Sequence, residues 1–148
     1  MYGWSAWQWF AAPRYLEQRG VPATPADLAN HACLIHETGP DSDLWHFARA
    51  DKTSNVRVSG GFIANNSSPV RLAALAGHGI AMLPELQVVD DVRAGHLVRV
   101  LGEYPSQSVP LYLVYPSRRN LAPRTRVVMD FLLAQARDVF AGLAEGQA

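Results

Sequence analysis

The stretch NNSSPVRLAALAGHGIAMLP, residues 65–84, decides the fold of this chain. A small polar cap precedes Pro69, a residue favoured in the first turn of a helix, and the helical pattern continues to Gly77. The apolar run Ile80–Leu83 then predicts a buried strand. Because Val56–Ile63 also has the pattern of a strand, the order is strand, helix, strand, as in a right-handed parallel crossover.

The same alternation of strands and helices continues outward in both directions. The predicted strands are Tyr2–Ala12, Cys33–His36, Leu44–Ala50, Val56–Ile63, Ile80–Leu83, Leu97–Leu101 and Leu111–Tyr115. The predicted helices are Pro13–Gly20, Pro25–His31, Pro69–Gly77, Glu85–Ala94 and Pro123–Phe140. Asp51–Asn55 is interpreted as a turn, and Gly77 and Gly79 as turn positions that need a positive φ. The pattern favours an α/β fold with a mainly parallel sheet flanked by helices.

Composition narrows the class of protein. The 148 residues are 49% apolar, and 13 Lys and Arg balance 13 Asp and Glu, so no overall basic field indicates nucleic acid. Charged residues are 18% of the chain, below the roughly 25% of an average soluble domain, which suggests that a partner covers part of the surface. The single cysteine, Cys33, fits a reducing compartment, and residues 1–13 lack the pattern of a signal peptide. We therefore expect a cytoplasmic protein without a membrane partner.

The sequence does not match the enzyme and metal-site motifs with which we compared it. The stretch GWSAW, residues 3–7, lacks the second glycine of a nucleophile elbow, and Pro40 stands where a zinc-protease helix begun at His36 would need its second histidine. His31, Cys33 and His36 match no zinc spacing. The sequence therefore predicts no catalytic residues, no metal and no cofactor.

A ligand site is predicted where several strands end. Ligands of parallel α/β sheets bind beyond the carboxyl ends of the strands, where helix N-termini favour negative charge. Asn66 and Ser67 precede a helix at such a position, while Thr38 and Glu85 follow two other strands. These four residues are the candidates for contact with a small carboxylate or similar anion. The alternative is that Asn66 and Ser67 only cap the helix and that Glu85 only favours the start of the next one.

Four segments together resemble LysR-type transcriptional regulators. They are residues 11–34, AAPRYLEQRGVPATPADLANHACL; 73–85, AALAGHGIAMLPE; 97–101, LVRVL; and 110–132, PLYLVYPSRRNLAPRTRVVMDFL. The resemblance covers nearly the whole chain in order. It implies an effector-binding domain of the type 2 periplasmic-binding-protein-like fold, in which a small organic acid or amino-acid derivative binds between two lobes. Asn66 and Ser67 match the family's loop before the helix, and Thr38 and Glu85 are further cleft candidates by position.

The resemblance also implies how the chain is divided. Residues 1–148 correspond to a partial effector-binding domain without the helix-turn-helix, in which residues 13–108 form the second lobe. Residues 1–12 and 109–148 then supply the crossover strands and a terminal helix of the first lobe.

This chain is therefore expected to sense an anionic effector and relay its binding through the geometry of an oligomer, without touching DNA itself. We expect a homodimer or a domain-swapped assembly. The alternatives are a solute-binding protein of a transport system, a small enzyme, or a dimerisation remnant that binds no ligand.

Overall fold

Helices lie between single strands or runs of strands along the chain. The computed structural model describes residues 3–49, 52–104, 108–115 and 122–145. The strands are β1 (Gly3–Ala11), β2 (Cys33–His36), β3 (Leu44–Arg49), β4 (Lys52–Arg57), β5 (Phe62–Ala64), β6 (Ile80–Pro84), β7 (Val98–Val100) and β8 (Ser108–Leu111). The helices are α1 (Pro13–Arg19), α2 (Ser67–Leu75), α3 (Glu85–Arg93) and α4 (Pro123–Glu145), with a 3₁₀ helix at Pro25–Asn30.

The chain divides into two compact units. Residues 6–107 form one unit, and residues 1–5 with residues 108–148 form the other. The helix α4 belongs to the second unit, and its exposed apolar side chains include Val127, Phe131 and Leu132.

The main sheet is mixed, where the sequence predicted a mainly parallel one. Its strand order is β5-β2-β6-β1-β7, and β8 also pairs with β1. The strand β2 is parallel to β5 and to β6, whereas β1 is antiparallel to β6 and β7. Trp7 pairs with Pro84 and Phe10 with Ala81, so β1 begins at the edge where β6 ends and runs against it. The α/β class is confirmed.

Alternating residues of β1 belong to two separate cores. Trp9 lies in one core with Ile35, and the stacked ring of Phe47, 4.3 Å away, closes that core. The neighbouring residue Phe10 lies in the other core, which α2 and α3 help to build. Because both faces of the sheet are covered, Trp9 and Phe10 are 0% and 3% exposed.

Three predictions are wrong in their boundaries. Val56–Ile63, predicted as one strand, contains only the end of β4 and the start of β5. Residues 52–55 of the predicted turn belong to β4, a polar strand whose backbone pairs with β3 and whose side chains are mostly exposed. Such a strand needs no apolar alternation, so the sequence pattern misses it. The predicted strand Leu111–Tyr115 is also wrong: β8 ends at Leu111, and the following Tyr112 and Val114 are exposed irregular residues.

The two glycines after α2 are needed for different reasons. Gly77 has a φ of +75°, which confirms the predicted turn position. Gly79 has no positive φ, so that prediction is wrong. A glycine is needed at position 79 because there is no room for a side chain: a methyl group there would overlap the backbone carbonyl of Ala32.

We predict that Gly79→Ala lowers the free energy of unfolding by about 2 kcal/mol or more, since backbone must move to accept the methyl group. Gly61→Ala is the matched control, because a methyl group there meets nothing within 4 Å. It should change stability by less than about 1 kcal/mol. Urea unfolding measures both, and equal losses in the two variants would contradict the packing argument.

A buried hydrogen-bonded group joins α1 to the start of β2. The Tyr15 hydroxyl accepts from the Ala32 N–H at 2.9 Å and lies 3.1 Å from Nδ1 of His31, to which it can donate. Burial lowers the pKa of His31 below its ordinary value of 6.5, and the charge of Arg19 lowers it further. The folded state therefore favours the neutral imidazole more than the unfolded chain does.

Stability should consequently fall as the pH drops through 6.5 towards the lower pKa of the folded state, because the unfolded chain binds the proton first. Melting curves between pH 7.5 and about pH 5 test this expectation. His31→Gln should show a smaller acid-side loss than the wild type, whereas His96→Gln, which changes an exposed residue, should behave as the wild type. An unchanged acid-side loss in His31→Gln would exclude this group as the cause.

Candidate functional site

The carboxyl ends of β2 and β5 lie side by side. His36 pairs with Ala64 in parallel register, and the N–H of Glu37 donates to the Ala64 carbonyl at 2.8 Å. Thr38 and Asn66 each follow this pair by two positions along their own strands. The structure therefore places them at the same edge of the sheet, where the sequence predicted a ligand site.

Asn66 and Ser67 have different roles at the start of α2. The side chain of Asn66 is the helix cap, and its Oδ1 accepts from the Ser68 N–H at 2.8 Å. The next residue, Pro69, has no N–H to offer. The Ser67 hydroxyl has no hydrogen-bond partner in the part of the chain that the structure describes. The Ser67 hydroxyl is therefore available to a ligand, whereas Asn66 has only its Nδ2 amide left because its Oδ1 caps the helix.

Thr38 begins a loop that is closed on itself. The N–H groups of Thr38 and Gly39 both donate to Oγ of Ser42, at 2.7 and 2.8 Å. The Ser42 hydroxyl in turn donates to the Gly39 carbonyl at 2.7 Å. These hydrogen bonds fix the conformation of the loop. The side chain of Thr38 is exposed and lies just beyond the end of β2.

Glu85 is the first residue of α3, directly after β6. Its Oε1 lies 3.8 Å from Nη1 of Arg99, and its negative charge is favourable at a helix N-terminus. A carboxylate repels an anion, so Glu85 suits the hydrogen-bond-donating part of a ligand better than the anionic part.

Two further polar residues lie at this edge, and the sequence reasoning did not name them as candidates for the ligand site. His36 has a buried Nδ1 that no described residue contacts by a hydrogen bond, and its ring stacks on Trp7 at 5.6 Å and 10°. Gln87 donates through Nε2 to Oγ of Ser68 at 3.2 Å, while its Oε1 is buried and unpaired within the described residues. Only the place of His36 at the end of a predicted strand could have indicated it, and nothing in the sequence singled out Gln87.

A groove of about 340 Å³ lies beside the predicted residues and does not contain them. Ile35, Val58 and Ile63 are among its apolar walls, and Glu37 and Ser42 are among its polar ones. Thr38, Asn66, Ser67 and Glu85 are all absent from its lining.

The residues considered for a metal are not brought together as a site. His31 faces Tyr15, and burial raises the pKa of the Cys33 thiol to about 12, which keeps it protonated. Within the described ranges, no group of three or more His, Cys, Asp or Glu could hold a metal ion. None of the helices in those ranges combines the length and apolarity that crossing a membrane requires.

Comparison with known proteins gives one consistent family. The sequence matches the LysR substrate binding domain over residues 5–137. A putative transcriptional regulator of Pseudomonas aeruginosa is 40% identical over 124 residues, which are 82% of this chain and 40% of that protein. The probable HTH-type transcriptional regulator LtrA of Klebsiella pneumoniae is 34% identical over 139 residues, which are 91% of this chain and 45% of that protein. This chain thus spans less than half the length of these relatives.

A solved structure agrees with the sequence comparison. The regulatory domain of CrgA, a LysR-type transcriptional regulator from Neisseria meningitidis, has a TM-score of 0.80 and 31% identity to this chain. The alignment covers 91% of this chain and 67% of that domain. The predicted type 2 periplasmic-binding-protein-like fold is confirmed.

Because Asn66 caps α2 and Ser67 does not, the alanine variants of the two residues should differ in their free energy of unfolding. Asn66→Ala removes the cap of α2 and should lower the free energy of unfolding by about 1 kcal/mol. Ser67→Ala removes a hydroxyl without a partner among the described residues and should change stability by less than about 0.5 kcal/mol. Urea unfolding of both variants measures the difference, and a larger loss in Ser67→Ala would show that the hydroxyl has a structural duty.

Proposed function

The chain belongs to the LysR substrate-binding domain family, and we propose that it is the effector-sensing portion of a cytoplasmic LysR-type transcriptional regulator. The ligand we propose is a small carboxylic acid, contacted by Thr38, Asn66, Ser67 and Glu85. The proposal is supported by one observation. The carboxyl ends of the paired strands β2 and β5 lie side by side, and the Ser67 hydroxyl next to them has no hydrogen-bond partner among the described residues. DNA binding and gene control would be properties of the whole regulator, with no direct DNA contact by this chain.

The proposed mechanism is a shift between arrangements of subunits. Residues 13–108 would act as the second lobe, and residues 1–12 with 109–148 as crossover strands and terminal helix. An effector changes the arrangement only to the extent that it binds one form better than another. The exposed apolar side chains of α4, such as Phe131 at 61% exposure, support self-association as a homodimer or domain swap.

We propose no catalysis for this chain. The relatives that match are transcriptional regulators, so the comparisons do not favour a small enzyme or a solute-binding protein of a transport system. No specific observation favours a remnant that binds nothing.

Melting curves with a panel of small carboxylic acids test the proposal. A ligand at 100 times its dissociation constant adds about 2.7 kcal/mol, which for a domain of this size raises the melting temperature by several degrees. We expect one chemical class to give this shift and Ser67→Ala to reduce it. Ser54→Ala, a change at an exposed position on β4, should not reduce it. A cooperative melt that no acid moves would favour the remnant without a ligand.

A further inference from the structure

We draw no further inference here: the strongest candidate, the groove of about 340 Å³ that Ile35, Val58 and Ile63 help to line beside the edge strand β5, is a largely apolar surface, and nothing in the described part of the chain shows what covers it.

Discussion

The rest of the structure depends on the antiparallel pairing of β1 with β6. This pairing sets Trp9 beside Met82 and Phe10 beside Ala81, so that successive residues of β1 enter different cores on the two faces of the sheet. It also places Trp7 beside Pro84, at the edge where the parallel strands end. One strand thus organises both cores and supplies an aromatic ring to the candidate site.

The two helices that frame the candidate site are joined by an ion pair. Arg71 of α2 donates from Nε and Nη2 to the two carboxylate oxygens of Asp91 of α3, at 2.6 and 2.7 Å. Asp91 is buried and the pair is bidentate, which fixes geometry more strictly than a single contact. This pair raises the pKa of Arg71, so the guanidinium stays charged. The ion pair joins the second turn of α2 to the last turn of α3, and the contact between Gln87 and Ser68 joins their first turns.

The candidate site combines polar groups that are hydrogen-bonded within the chain with polar groups that have no such partner among the described residues. Asn66 and the Thr38 loop have their hydrogen bonds supplied by the chain, so they give the edge a fixed shape. His36 and Gln87 each have a buried atom left unpaired within the described residues.

The sequence by itself determined the elements whose signals are local. Apolar runs and caps identified β2, β6 and α3 closely, and α2 begins at Ser67, two residues before Pro69. They also identified Asn66 and Ser67 as residues at a strand end. Only the tertiary structure decided that β1 runs against β6, that the polar stretch Lys52–Arg57 is a strand, and that Gly79 must lack a side chain because Ala32 lies against it. The same holds for the meeting of His36 with Trp7 and of Gln87 with Ser68, since these contacts join residues 29 and 19 positions apart, a separation beyond the reach of any local pattern.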